Sequence, residues 1–215
     1  MKIALINENS QAAKNEMIFQ CLRSVAEPMG HQVFNYGMYS AEDPHSLTYV
    51  QNGILAAVLL NSGAADFVIT GCGTGEGALL AANSMPGVLC GLVVDPADSF
   101  LFTQINGGNC MSLPFAKGWG WAAEVNLEYV FEKLFAKEPG GGYPPSAAAS
   151  EQRNAKLLNK LKAVSHNDIL SILKSEDPDV HDIVKNAFAG KRMELFRADC
   201  RDEAILKAVE AAVAE

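Results

Sequence analysis

The sequence has no C-x-x-C pair. Its five cysteines, Cys21, Cys72, Cys90, Cys110 and Cys200, are odd in number and dispersed. That argues against a disulfide framework or a clustered zinc site, and no metal is expected. Positive charge is also scarce: the formal net charge is −8. An acidic chain is poorly suited to nucleic acid or an anionic membrane, so neither is expected as a partner. Any anionic substrate must be held by local donors. No apolar run is long enough to cross a bilayer; residues 53–60 fall far short. The N-terminus lacks the long apolar region of a signal peptide. Residues 2–6 read instead as a strand, and a cytoplasmic location is the expectation. There is no internal repeat.

What is present is an ordinary globular composition, 49% hydrophobic and 20% charged over 215 residues. Residues 2–6 form a short apolar run before the polar cluster Asn7-Glu8-Asn9-Ser10. Ser10 is placed to cap a helix over 11–29, with Gly30 as its stop. Further strands are expected at 31–36, 66–70, 88–94 and 110–113. Helices are expected at 47–62, 78–83, 99–105 and 119–135. Strands alternating with helices indicate a doubly wound α/β fold with a five-stranded parallel sheet. Ligands in such sheets sit at the carboxyl ends of strands. Three loops qualify: 7–10, 71–77 and 95–99.

The chain divides into a core over 1–138, a Pro/Gly/Ala-rich linker or arm over 139–150, and a helical extension over 151–215. The extension shows helices at 151–164, 167–174, 180–189 and 201–215. They are too small for an independent core, so they pack on the core or on a partner subunit. Trp119 and Trp121 flank a helix start and are expected in the core or a subunit interface.

The loop Gly71-Cys72-Gly73-Thr74-Gly75-Glu76-Gly77 has four glycines between a strand and a helix. Glycines let backbone N–H groups converge on an anion, and the helix adds its positive dipole end. It is not a Walker A loop, because the Lys-Ser/Thr ending is absent. Two readings stand: a tight strand–helix turn, or a cradle for a phosphate, carboxylate or enolate oxygen. Cys72 bears on the choice. A thiol beside a helix N-terminus acquires thiolate character. Abstracting a proton next to a carbonyl needs a base and an adjacent oxyanion site. Cys72 with the loop amides and the Thr74 hydroxyl supplies both. A cysteine buried at a strand end is the competing reading.

Gly71-Cys72-Gly73-Thr74-Gly75-x-Gly77, followed by Ala81-Ala82-Asn83 and Pro86-Gly87, resembles the core motif of the ribose-5-phosphate isomerase type B and galactose-6-phosphate isomerase family. The resemblance covers about residues 1–135 and includes Asp43-Pro44-His45 and Asp95-Pro96. It implies a Rossmann-like three-layer αβα fold, and homodimers or homotetramers with active sites between subunits. It also implies aldose–ketose isomerisation of a small sugar phosphate through a cis-enediol, with no cofactor. Under it, Cys72 moves the proton between C1 and C2, and Thr74 with the loop amides holds the enediolate. Gly71, Gly73, Gly75, Glu76 and Gly77 line the substrate. Glu8 and Asn9 stand where the family has Asp-His, and Asn106 and Lys117 are the remaining substrate-side candidates.

The departures from that pattern are specific. Ile105 stands where the family's ring-opening His precedes an Asn-Asp pair, here Asn106-Gly107. Thr103 stands where a phosphate-gripping Arg is found. A Tyr143 and Pro/Ala insertion precedes Arg153, where late Arg residues follow a Gly-Gly pair. Three explanations compete. The substrate is less phosphorylated or already open-chain; the extension supplies replacements such as His166, His181, Arg192 or Arg197; or the chain binds small sugars without turnover. A nucleophilic role for Cys72 has no neighbouring His to support it. His45 at a loop turn reads equally as structural or functional.

Overall fold

The structure is a computed structural model that describes residues 1–214. Five parallel strands form one sheet: β1 (Lys2–Asn7), β2 (Gln32–Asn35), β3 (Phe67–Cys72), β4 (Cys90–Leu92) and β5 (Cys110–Pro114), in the order β2-β1-β3-β5-β4. Helices cover both faces, giving the three-layer α/β arrangement expected. Side chains alternate between faces along each strand. Ile3, Leu5, Phe67, Ile69 and Met111 pack against α1 (Asn15–Ala26) and α5 (Ala123–Leu134). Ala4, Ile6 and Val68 pack against α2 (Tyr49–Asn61), with Ala82 of α3 (Glu76–Asn83) in the same cluster. Burial on both sides is why these strands read as continuous apolar runs.

The C-terminal helices are α6 (Ala148–Ser165), α7 (Ile169–Leu173), α8 (Pro178–Ala187), α9 (Lys191–Asp199) and α10 (Glu203–Ala214). Leu173, Val184, Phe188, Phe196 and Val209 are buried in the same cluster as α2 and the sheet. Burying each such large side chain contributes about 2 kcal/mol. Helix α2 is therefore sandwiched, which explains why every residue from Asn52 to Leu59 is buried. Lys2 of β1 also pairs with Asp199 of α9 at 2.8 Å.

Several boundaries differ from the sequence expectation. The Glu8 carboxylate, not Ser10, caps the first turn, accepting from the Ser10 amide. That turn (Asn9–Lys14) is 3-10, so α1 begins only at Asn15. Strand β3 runs two residues further than expected, because Gly71 pairs with Asn7 and Leu113, and Cys72 with Pro114. Helix α4 (Pro96–Leu101) starts earlier than expected, capped by Asp95, and passes into a π segment (Phe102–Asn106). Helix α5 begins at Ala123, and Trp121 is fully exposed in this chain. Helix α9 was not expected at all.

Candidate active site

Strands β1 and β3 end side by side, with Asn7 opposite Gly71. From β1 the chain crosses to β2 on one side and returns to β3 on the other. This is the switch point at which doubly wound sheets open a crevice. The loop after β3 forms one wall, and the turn after β1 forms the other.

Two glycines of the loop are demanded by the fold. A Cβ on Gly71 would lie 2.3 Å from the Leu113 carbonyl oxygen and 2.5 Å from the Phe115 ring. Gly75 has φ +80° and stands against Leu92 and Leu113. Gly73 and Gly77 are different: an added Cβ there would make only ordinary contacts, none closer than 3.4 Å. Their bareness leaves the crevice wall open.

The loop's carbonyls are consumed by β5 and the residues just beyond its end. Cys72 O accepts from Phe115 N at 2.9 Å, and Gly73 O from Ala116 N at 3.0 Å and Lys117 N at 2.8 Å. Gly75 O accepts from the Ser112 hydroxyl at 2.6 Å and from Leu79 N at 3.0 Å. The amides of Gly73, Thr74, Gly75, Gly77 and Ala78 have no acceptor among the described residues. The last two belong to the first turn of α3, where free N–H groups and the helix dipole favour negative charge. The Thr74 hydroxyl accepts from Glu76 N at 3.3 Å and lies 4.0 Å from Cys72 Sγ. Cys72 is half-buried, whereas Thr74 and Glu76 are exposed. Cys72 therefore sits at a helix start that presents unpaired donors.

On the opposite wall Glu8 is buried, 4% exposed. Its carboxylate accepts from Ser10 N at 2.8 Å and Ser10 Oγ at 2.5 Å. No cation lies within ion-pair distance of it among the described residues. Ser10 Oγ accepts from Gln11 Nε2 at 2.9 Å, and Gln11 Oε1 accepts from Lys14 Nζ at 2.8 Å. Lys14 also donates to Phe115 O and lies 4.7 Å over the Trp119 ring. Burial holds its ammonium pKa below the usual lysine range. Sequence reasoning missed Gln11, Lys14 and Tyr49. No motif marks them: Gln11 and Lys14 belong to the turn that follows Glu8, and Tyr49 opens α2.

The remaining candidates are scattered. Asn9 is exposed, and its amide donates to Leu47 O at 2.7 Å. Lys117 is fixed to the loop by its backbone and borders a hollow of ≈ 210 Å³ with Trp119 and Trp121. Asn106 does not join the group within one chain. It closes the π segment ahead of β5, beside Glu151 and Leu158 of α6, near the amino ends of the strands. Asp95 caps α4, so the third candidate loop is a helix start. A larger cavity of ≈ 750 Å³ lies among α7, α8 and α10, away from the strand ends.

Known proteins resemble this chain in sequence and fold. The Ribose/Galactose Isomerase family model matches residues 3–135. A second model, described as ribose-5-phosphate isomerase, matches residues 164–212. A 4-deoxy-L-threo-5-hexosulose-uronate ketol-isomerase, solved in complex with a tartrate, is 55% identical, with 100% of each chain covered and a TM-score of 0.96. A ribose-5-phosphate isomerase from Vibrio parahaemolyticus is 50% identical over 99% of each chain, with a TM-score of 0.94. The type B ribose 5-phosphate isomerase of Trypanosoma brucei shares the fold, with a TM-score of 0.62 at 21% identity over 74% of this chain and 97% of that one. The chain belongs to the ribose/galactose isomerase family of sugar isomerases.

Proposed function

We propose that the protein is an aldose–ketose isomerase for an open-chain, carboxylate-bearing sugar, working through an enediol with Cys72 as the proton-transfer base. The observation that carries this reading is the half-buried residue Cys72 beside the α3 start, where loop amides stand without acceptors. In the forward direction the Cys72 thiolate takes the proton from C2 of the aldose. The electron pair moves onto the C1 carbonyl oxygen, and the loop amides with the Thr74 hydroxyl hold the resulting enediolate. The thiol then returns the proton to C1, a proton passes from the C2 oxygen to the C1 oxygen, and C2 becomes the ketone. No bond to sulfur forms, and no redox partner is needed.

Two residues support this choice of substrate class. Thr103, at the position of a phosphate-gripping Arg, is 1% exposed, and its hydroxyl donates to Ser99 O at 2.6 Å. It cannot grip a phosphate. Ile105 replaces the ring-opening histidine. A 4-deoxy-5-hexosulose uronate, the substrate class named for the 55%-identical relative, needs neither residue. It has neither an O4 nor a 5-hydroxyl with which its C1 aldehyde could close an ordinary furanose or pyranose ring. Its anionic group is a carboxylate, not a phosphate.

Ribose 5-phosphate is the second reading, favoured by the 50%-identical Vibrio relative. A turnover screen decides between them, with a hexosulose uronate, ribose 5-phosphate and hexose phosphates run in parallel in D2O. The proposal expects turnover of the uronate, deuterium at C1 of the ketose product, and a loss of roughly 10²–10⁴-fold in kcat for Cys72→Ala. Turnover of ribose 5-phosphate alone would transfer the assignment to that sugar. Ligand-dependent melting with no exchange on any sugar would leave a sugar-binding protein.

A further inference from the structure

We propose that Arg192, carried by the C-terminal extension, is a positioning residue for the crevice: it fixes the segment 37–48, which in turn sets Glu8 and Tyr49. The inference rests on the crevice being the site of turnover, and it gives the extension a role in that site.

Arg192 is 1% exposed, the largest fully buried side chain among the described residues. A buried guanidinium is tolerated only where its donors are used. Its Nε donates to Ala187 O at 2.8 Å, and its Nη2 to Asn186 O and His45 O, both at 3.0 Å. The first two bonds bind it to the end of α8. The third crosses 147 residues of sequence to the middle of the 37–48 segment. Nη1 faces the same segment, 3.5 Å from where a Cβ on Gly37 would stand. Nearby, Gly190 lies so close under the His45 ring that an added Cβ would be 2.7 Å from it. Asp43, whose charge attracts Arg192, accepts from His45 N at 2.9 Å and Tyr39 N at 3.2 Å.

The ends of the segment bracket the first wall of the crevice. Gly37 O accepts from Asn7 N, and Asn7 O accepts from Met38 N at 2.9 Å. Leu47 O accepts from Asn9 N at 2.7 Å. Glu8 is thus held between two anchors of one loop. Thr48 then caps α2, with Gln51 closing the capping box, and Tyr49 comes next, its ring and the Cys72 sulfur both near Gly77. The extension supplies the central support of this span.

The test uses the full chain with Arg192→Ala and Arg192→Lys. Lysine keeps the charge but cannot span three carbonyls. The expected result is a KM raised about tenfold or more, with a smaller change in kcat. Amide exchange over 37–48 should quicken in the ligand-free protein, while α7 and α10 keep their protection. Guanidinium ion at tens of millimolar should partly restore KM in Arg192→Ala, and ammonium should not. If Arg192→Ala does not fold, Arg192→Lys carries the same readouts. Unchanged KM together with unchanged exchange over 37–48 in a folded variant would overturn the inference. An inactive wild type would instead sink the proposed function, and the exchange measurement would still judge the brace.

Discussion

Cys72 and Tyr49 stand on two sides of Gly77: a Cβ placed on Gly77 would lie 3.7 Å from the Cys72 sulfur and 3.4 Å from the Tyr49 ring. These are ordinary van der Waals distances, so Gly77→Ala fits the folded chain. It also replaces a helical glycine, a change worth about 1 kcal/mol in favour of the helix. The variant is expected to melt at or above the wild-type temperature. Its methyl group fills the space beside the thiol, so kcat/KM should fall. Thermal melting and steady-state kinetics on one preparation check both halves, and unchanged kcat/KM would show that substrate does not pass this point.

Thr74 holds its hydroxyl on the first amide of α3, 3.3 Å from Glu76 N, and the Cys72 sulfur 4.0 Å away is the other group within its reach. Thr74→Val keeps the shape and removes the donor. Loss of one donor to a developing oxyanion costs roughly 10²-fold in kcat. Thr74→Ser should recover most of that loss. If valine and serine variants turn over alike, the amides alone cradle the enediolate.

The glycine loop and its place after the third strand were legible because glycine spacing and a strand–helix boundary are local signals. The parallel α/β class was legible for the same reason: each strand is buried on both faces and reads as an apolar run. Helix α9 was not, because Lys191, Arg192, Glu194 and Arg197 give it a polar composition after Gly190. Its burial comes from Met193, Phe196 and the paired Arg192, which only the tertiary structure reveals. The turn Asn9–Lys14 misled for a related reason. Ser10 has the composition of a cap, yet the buried Glu8 carboxylate reaches its amide first. The chain Glu8–Ser10–Gln11–Lys14 is local in sequence but follows no motif or period, and the Arg192 brace leaves no trace because it joins elements distant in sequence.

Gly71 tests the opposite limit from Gly77. An added Cβ would meet the Leu113 carbonyl at 2.3 Å, and backbone oxygen in a paired strand cannot swing aside. Overpacking at such a point costs about 3 kcal/mol. In a chain of this length that corresponds to a melting temperature lowered by about 10 °C. Gly71→Ala should therefore lose stability where Gly77→Ala does not. Calorimetry of the two variants side by side makes the comparison, and equal melting temperatures would refute the packing argument.

His31 gives the fold a pH dependence of known sign. Its ring lies 4.8 Å from the Phe135 ring at a tilt of 46°, and Nδ1 lies 3.2 Å from the Met1 ammonium. Burial first, and the nearby positive charge second, hold its pKa below the usual histidine value of 6.5. The neutral ring is thus favoured in the folded chain, and the unfolded chain takes up the proton first. The stabilisation is present above the unfolded pKa and is lost as pH falls through the folded one. His31→Gln removes both the ring contact and the titration. It should melt below wild type at pH 7.5, and the gap should narrow towards pH 5. Differential scanning calorimetry across that range reads the gap directly. A gap that stayed constant, or widened in acid, would mean that His31 does not favour its neutral form in the fold.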